Sequence, residues 1–271
     1  MRALSEASGE IADFPRATCV TTGTSSAMKE CSFGEGSALT IVIFGDSHAL
    51  QFFTPLHALA QARGWTLVTF FKSGCPAVDL APSPTIGSAA CATWRHSSLS
   101  RIADLHPGLI IVASWTGPLV GTSANEGGAV TLEEWSTGIH RTISSLSRSR
   151  SPVLWIHDNP MPGFDVPACL ARAARNAWYP GRRCSPLRAS AINPALLAVE
   201  QRAVSSSAGV SLLSFDEMIC PAERCPVVRD GAVVFRDSDH LTRRFTATLA
   251  PRLECAIDAA IAKAAPAAGR N

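Results

Sequence analysis

The chain has 271 residues, of which 46% are hydrophobic and 17% charged, and its formal net charge is +2. This composition is that of a folded globular protein and excludes a disordered chain. The near-neutral charge, with no basic block interleaved with aromatic residues, argues against nucleic-acid binding. No run reaches the roughly 20 apolar residues of a membrane span, so the sequence predicts no transmembrane helix.

Strand-like and helix-like segments alternate from residue 39 onward. LTIVIF (Leu39–Phe44) is a short continuous apolar run, which predicts a strand covered on both faces. A helix is predicted over Ala49–Arg63, ending at Gly64 and bent at Pro55. The same apolar pattern predicts four more strands, at Thr66–Phe71, Gly108–Ser114, Val153–His157 and Val210–Phe215.

The later helices carry their own boundary signals. Thr131 and Glu134 form a capping box at the start of one helix. Two further helices are predicted over 194–206 and 242–264, and 227–235 predicts a small hairpin that turns at Asp230 and Gly231. This alternation indicates a parallel sheet with helices on both faces, whose ligand site lies beyond the carboxyl ends of the strands.

The chain contains nine cysteines, and eight of them fall into near-neighbour pairs. The simplest interpretation is four local disulfides: Cys19–Cys31, Cys75–Cys91, Cys169–Cys184 and Cys220–Cys225. Eight cysteines allow 105 connectivities, and zinc is a rival explanation, although no CxxC spacing occurs. Cys255 is left over in an apolar helical segment and is expected to be a buried thiol.

Disulfides indicate an oxidising compartment, yet the first residues lack the apolar core of a signal peptide. We therefore expect the chain to be a piece of a larger protein that supplies the membrane insertion. We expect residues 1–38 to form an extended lead-in, 39–264 the α/β domain and 265–271 a flexible tail.

Ser47 follows the first predicted strand in the sequence GDSH, at the start of a helix whose unpaired N–H groups stabilise an oxyanion. Its candidate base is His240, with Asp237 three residues earlier to orient the imidazole. Taken alone, the GDS motif is also consistent with a helix cap. The DSDH motif alone is also consistent with a solvated turn, or with a site where Asp237, Asp239 and His240 bind a cation.

Five motifs in this order resemble the SGNH (GDSL-type) hydrolase and acyltransferase superfamily: GDSHA, KSGCP, VASW, DNP and DSDHLT. They are most similar to the SGNH domains fused to membrane-embedded acyltransferase-3 proteins, which O-acylate cell-envelope glycans. The resemblance implies a flavodoxin-like three-layer α/β sandwich with about five parallel strands. It also implies that Ser47 is the nucleophile, His240 the base and Asp237 its orienting acid.

The superfamily builds its oxyanion hole from the serine amide, a glycine after the second strand and an asparagine after the third. Gly74 stands at the glycine position, with Ser73 as a rival donor. The asparagine is absent, and we expect Ser114 or the Trp115 indole N–H to replace it.

Three other residues at strand ends are candidate substrate contacts: His48, Asp158 and Asn159. Asp158 is also interpreted as the cap of the turn before Pro160, and the sequence favours that interpretation. His48 is adjacent to Ser47, and adjacent residues on a helix point apart.

The resemblance predicts O-acetyl transfer to a glycan or glycolipid hydroxyl through an acyl-serine. The acyl group would come, ultimately from acetyl-CoA, through a membrane acyltransferase-3 domain that this chain lacks. We expect no cofactor or metal in this domain, and a position on the periplasmic face of the inner membrane. The alternatives are a secreted carbohydrate esterase and a non-catalytic domain that presents glycans.

Overall fold

The computed structural model describes residues 6–36, 38–81, 89–117, 120–121, 130–175 and 181–264. In chain order its strands are β1 (Val20–Thr21), β2 (Cys31–Phe33), β3 (Thr40–Gly45), β4 (Thr66–Lys72), β5 (Leu109–Ala113), β6 (Val120–Gly121), β7 (Val130–Thr131), β8 (Val153–Ile156), β9 (Val210–Leu213), β10 (Val228–Arg229) and β11 (Ala232–Val233).

Among the described residues, seven strands form the main sheet, in the order β1-β4-β3-β5-β8-β9 with β2 also paired to β4. All of these pairings are parallel except that of β2 with β4. The five strands that the apolar runs predicted are β3, β4, β5, β8 and β9, and the α/β fold class is confirmed. Their carboxyl ends meet at one edge, where a ligand site is expected.

The helices are α1 (Arg16–Cys19), α2 (Ser47–Leu50), α3 (Phe53–Arg63), α4 (Ala89–Leu105), α5 (Leu132–Leu146), α6 (Val166–Arg175), α7 (Arg188–Ala191), α8 (Pro194–Ser205), α9 (Asp216–Ile219), α10 (Arg243–Thr248) and α11 (Ala250–Ala264). Within the described ranges, no helix combines the length and the apolar character needed to cross a bilayer.

The sheet separates two hydrophobic cores because successive side chains of a strand point to opposite faces. In β3, Ile41 and Ile43 pack into the core shared with α3, α10 and α11. Val42 and Phe44 pack into the opposite core, shared with α4, α5 and α8. Both faces of β3 are therefore buried, which explains its continuous apolar sequence.

The predicted helix over Ala49–Arg63 is divided into α2 and α3 by a break at Gln51 and Phe52. Pro55 lies in the first turn of α3, where its missing N–H costs no helical hydrogen bond. The capping box of Thr131 and Glu134 is present as predicted. The predicted hairpin is also present, and positive φ angles of 49° at Asp230 and 76° at Gly231 form its turn.

The segment expected to be an extended lead-in is part of the sheet. β1 and β2 both pair with β4, and the ring of Phe14 packs edge-on against Phe53 and Phe71. The described lead-in residues therefore belong to the α/β domain. The tail expected over 265–271 lies outside the described residues.

Within the described residues, four disulfides join the cysteine pairs suggested by their spacing. The expectation for Cys255 is wrong, because its thiol is exposed. It stands on the outer side of α11, between the inward-facing Leu253 and Ile257.

Replacing Gly45 with alanine is expected to destabilise the fold. A Cβ at this position would lie 2.0 Å from the Ala113 carbonyl oxygen and 2.8 Å from the Ala49 Cβ. Because the first is backbone of a central strand, it cannot move aside, and we expect a loss of about 1–3 kcal/mol in unfolding free energy. Urea denaturation measures this loss. Gly9→Ala is the control, since its nearest atom is an ordinary 3.5 Å away, and equal stability of the two variants would contradict the argument.

Candidate active site

Ser47 is presented by a tight turn between β3 and α2. Asp46 caps α2, its carboxylate accepting the His48 N–H at 2.9 Å. The same carboxylate accepts the Trp115 N–H, at 2.9 and 3.2 Å to its two oxygens. Burial raises the pKa of Asp46 to about 6, against the lowering effect of His48 and of these N–H donors. Asp46 therefore joins the turn that carries Ser47 to the loop after β5.

Three residues predicted to act together do lie together. The His240 Nε2 is 2.9 Å from the Ser47 Oγ. The Nδ1 of the same ring is 3.0 and 3.2 Å from the two Asp237 carboxylate oxygens. This is the arrangement in which a carboxylate orients an imidazole that can take a proton from a serine hydroxyl.

The turn that carries His240 stabilises the protonated form of the His240 imidazole. Asp237 accepts the backbone N–H groups of Asp239 and His240, at 3.0 and 2.7 Å. Burial opposes charge on Asp237, but these bonds and the imidazole outweigh it and lower the pKa of Asp237. Burial likewise disfavours the imidazolium, but Asp237 and Asp239 outweigh it and raise the pKa of His240 to about 9. The Asp239 Oδ1 is 2.8 Å from the His240 Nδ1.

This pKa links protonation of His240 to stability. The folded pKa lies above the unfolded value of about 6.5. The proton therefore stabilises the fold fully below that pH, and the contribution is lost as the pH rises through about 9.

The candidate oxyanion donors differ in whether their N–H groups already donate a hydrogen bond within the protein. Ser47 is the first residue of α2, where the N–H lacks a helical acceptor. Gly74 is exposed, with a φ of 63° that favours glycine. By contrast, the Ser73 N–H donates to the Thr21 carbonyl at 3.0 Å, and that amide is engaged in the fold.

The two candidates after β5 also have different surroundings. The Ser114 Oγ accepts the Ala77 N–H at 2.7 Å and so holds the loop that follows Gly74. The Trp115 Nε1 is buried without an acceptor among the described residues. The indole N–H is therefore a buried donor without a partner in the described part of the chain, whereas Ser114 has a structural hydrogen bond.

His48 forms a second, buried histidine–aspartate pair. Its Nδ1 is 2.6 Å from the Asp158 Oδ1, and Asp158 also accepts the N–H and hydroxyl of Thr116, at 2.7 and 2.9 Å. Although burial raises it, the pKa of Asp158 is lowered overall by His48 and Thr116. The rings of His48 and His240 are 4.5 Å apart. Asp158 thus positions His48 beside His240.

Asn159 and a residue that sequence reasoning missed, Gln51, hold the His240 loop. The Gln51 Nε2 donates to the Asn159 Oδ1 at 2.8 Å, and the Gln51 Oε1 accepts the Leu241 N–H at 3.0 Å. The Asn159 Nδ2 donates to the Asp239 carbonyl at 2.8 Å. The described hydrogen bonds of Asn159 are therefore internal to the protein.

Within the described part of the chain, one group of side chains has metal-ligand spacing. Ligand atoms of His48, Asp239 and His240 lie within 4.8 Å of one another. His240, however, is in contact with Ser47 and Asp237, so a cation that it ligated would compete with one of those contacts.

A cavity of about 550 Å³ opens at the carboxyl ends of β5 and β8, where Asp158 and Asn159 line it. Gly117, Asn159, Met161 and Ile192 are among its lining residues. Its volume lies within the range of small-molecule sites.

The family described as "SGNH domain (fused to AT3 domains)" has a model that matches residues 18–254, most of the chain. The chain belongs to this family. The match includes both the GDSH turn and the DSDH turn. The chain matches no curated protein sequence.

The chain is similar to solved structures at low sequence identity. The periplasmic domain of a lipopolysaccharide acetyltransferase from Salmonella ser. Paratyphi A is similar with a TM-score of 0.61 and 15% identity, over 83% of this chain and 85% of that one. A GDSL-like lipase from Bacteroides thetaiotaomicron gives 0.45 and 14%, over 83% and 88%. An acetyl-xylooligosaccharide esterase mutant from Geobacillus gives 0.45 and 12%, over 87% and 98%. The first supports the fold assignment of this SGNH domain.

The pKa of His240 is expected to fall when Asp237 becomes Asn, because the variant removes the carboxylate that stabilises the imidazolium. NMR titration of the histidine ring protons should give a pKa of about 9 in the wild type and a lower value in the variant. Asp230→Asn, in the exposed turn between β10 and β11, is the matched control and should leave the titration unchanged. A wild-type pKa near 6.5 would contradict the assignment.

Proposed function

We propose that this domain transfers an acyl group, acetyl in the first instance, to a hydroxyl of a cell-envelope glycan or glycolipid through an acyl-serine. The observation that carries the proposal is the 2.9 Å contact between the Ser47 Oγ and a His240 imidazole oriented by Asp237. The family supports acyl chemistry, because its members share the SGNH hydrolase and acyltransferase fold.

The proposed reaction has two steps, acylation of Ser47 and transfer of the acyl group to a sugar hydroxyl. The Ser47 Oγ attacks the donor carbonyl while neutral His240 takes its proton, and the same proton then leaves with the departing group. A sugar hydroxyl next attacks the acyl-serine and gives its proton to His240, which returns it to the Ser47 Oγ as the acyl bond breaks. The Ser47 and Gly74 amides would stabilise the oxyanion, with the Trp115 indole N–H as the third donor.

The family description supports a proposal for the partner and the location. The family consists of SGNH domains fused to AT3 domains, so we assign the supply of acetyl groups to a membrane acyltransferase-3 domain that draws on acetyl-CoA. No nucleotide-binding motif occurs in the sequence, and this domain would bind no cofactor itself. Four disulfides fit a position on the periplasmic face of the inner membrane.

The same intermediate serves an esterase if water replaces the sugar hydroxyl. The geometry around Ser47 suits both reactions, because the acceptor enters only in the second step. Product analysis with added sugars separates them: acetylated sugar indicates a transferase, and acetate alone indicates an esterase.

Serine-dependent chemistry is tested with p-nitrophenyl acetate. We expect the wild-type domain to release p-nitrophenol and to gain the mass of one acetyl group. In Ser47→Ala both signals should fall by about 10³-fold or more, because the nucleophile is absent. Ser25→Ala, at an exposed serine of the 22–30 loop, is the control and should behave as wild type. Equal behaviour of wild type and Ser47→Ala would favour the non-catalytic, glycan-presenting alternative.

Activity is expected to rise with pH and to level off only above about 9, because the base must be neutral and the pKa of His240 is raised to about 9. The measurement is kcat/KM for p-nitrophenyl acetate between pH 6 and 10, corrected for spontaneous hydrolysis. A rise in kcat/KM with its midpoint near pH 6.5, or a kcat/KM that falls with rising pH, would be inconsistent with His240 as a base held by Asp237.

A further inference from the structure

Two adjoining cavities meet at the side chain of Asp216, the first residue of α9. The first is the cavity of about 550 Å³ at the carboxyl ends of β5 and β8, and the second, of about 630 Å³, has residues of α7, α8 and α9 in its walls. Ala189, Ile192, Pro194 and Asp216 line both cavities. Each has the volume of a small-molecule site, roughly 300–1,000 Å³.

Asp216 is a buried acid whose carboxylate has no hydrogen-bond partner among the described residues. Its side chain is 6% exposed, and neither oxygen accepts a hydrogen bond from that part of the chain. The His157 Nε2 lies 3.6 Å from the Asp216 Oδ2, beyond hydrogen-bond distance. The Nδ1 of the same ring is 2.5 Å from the Glu200 Oε2. Since a buried carboxylate without donors costs free energy, Asp216 favours a ligand that brings donors of its own.

The charges around Asp216 make the two cavities acidic. Burial raises the pKa of Asp216, and Asp158 raises it further, against the lowering effects of His157, Ser214 and Arg188. The Arg188 guanidinium is itself bound by the Glu217 carboxylate. Even with His157 protonated, the acids that line the cavities outnumber the cations, four to two, among the described residues. The acids are Asp158, Asp216, Glu217 and Glu223, and the cations are His157 and Arg188.

The wall of the first cavity is hydrogen-bonded to both halves of the candidate active site. Asp158 lines the cavity and is 2.6 Å from the Nδ1 of His48, in the helix that carries Ser47. Gly163 also lines it, and its N–H donates to the Ser238 carbonyl at 3.1 Å. Ser238 belongs to the turn that carries the catalytic histidine. A ligand in the first cavity is therefore held against the same elements that position the serine and its base.

We infer that the first cavity binds a neutral sugar of the acceptor glycan, next to the sugar that is acylated, and that the Asp216 carboxylate accepts hydrogen bonds from its hydroxyl groups. A carboxylate only accepts, and hydrogen bonds to an ionised group are the stronger ones. Met161 and Ile192 supply apolar contacts for the C–H groups of the ring. Because like charges repel, the acidic lining disfavours a uronic acid or a sugar phosphate. The inference rests on the proposed function and specifies its substrate class.

A matched pair of sugars tests the inference during transfer. Glucuronamide is neutral, and glucuronate has the same ring hydroxyl groups with a negative charge. With p-nitrophenyl acetate as the donor, we expect the wild type to give a higher ratio of acetylated sugar to free acetate with glucuronamide. In Asp216→Asn that ratio should fall by about tenfold, as for the loss of one charge-assisted hydrogen bond. Asp230→Asn, at an exposed turn, is the control and should keep the wild-type ratio. A wild-type preference for glucuronate, or an unchanged ratio in Asp216→Asn, would overturn the inference.

Binding to Ser47→Ala separates this inference from the proposed function, because it needs no turnover. We expect glucuronamide at tens of millimolar to shift the backbone amide NMR signals of residues 189–192 and 216, and glucuronate to bind about tenfold more weakly. A second substitution, Asp216→Asn, should weaken the binding of glucuronamide. These results would support the cavity site even if no sugar is acetylated. No shift at these residues, or equal binding after Asp216→Asn, overturns it.

Ala189→Trp tests the same space without a change of charge. Ala189 is exposed and lines both cavities, so an indole there would occupy the volume of a sugar ring. We expect this variant of Ser47→Ala to lose the binding of glucuronamide. Thermal unfolding checks that it and the Asp216→Asn variant are folded. Binding that survives Ala189→Trp would overturn the assignment of the sugar to this cavity.

Discussion

The buried carboxylate of Asp46 is the interaction on which the site depends. It accepts one N–H from the helix that carries Ser47 and another from the loop after β5. The turn can lie this close to β5 only because Gly45 has no side chain to meet the Ala113 carbonyl. The position of Ser47 is thus fixed by backbone contacts between neighbouring strands, and this half-buried serine is held by buried groups.

A second set of side chains performs the same task for His240. Gln51 and Asn159 connect α2, the end of β8 and the turn that carries His240. Asp158 adds His48 to this network. The two halves of the site are therefore joined by buried amides and carboxylates whose hydrogen bonds fix their relative position. This explains why the residues after the strands are polar although they are buried.

The parts of the fold that the sequence predicted are those with local signals. Five apolar runs, the Thr131 cap, the Asp230–Gly231 turn and the closely spaced cysteines each act within a few residues. The two- and three-residue strands β1 and β2 are too short to show an alternation of apolar residues, so the lead-in was not recognised as part of the sheet. The exposure of the Cys255 thiol could not be predicted, because an apolar helical composition does not show which side of the helix faces outward.

The site could be predicted in part for the same reason. Ser47, Asp237 and His240 belong to short motifs at strand ends, whereas the partners of Gln51 lie 108 and 190 residues away. Only the folded chain shows that the Ser73 N–H donates to the Thr21 carbonyl. Such contacts arise from the order of the strands, which local sequence does not specify.

The separation of 193 residues between Ser47 and His240 also sets the time at which the site is assembled. A chain that emerges from its amino end presents the serine turn long before the histidine that would activate it. Contacts of this range form late in folding, because the intervening chain must be ordered before its ends can meet. Ser47 consequently lacks its histidine partner while the chain is incomplete, and the contact between the two side chains is confined to molecules whose carboxyl-terminal helices have docked on the sheet.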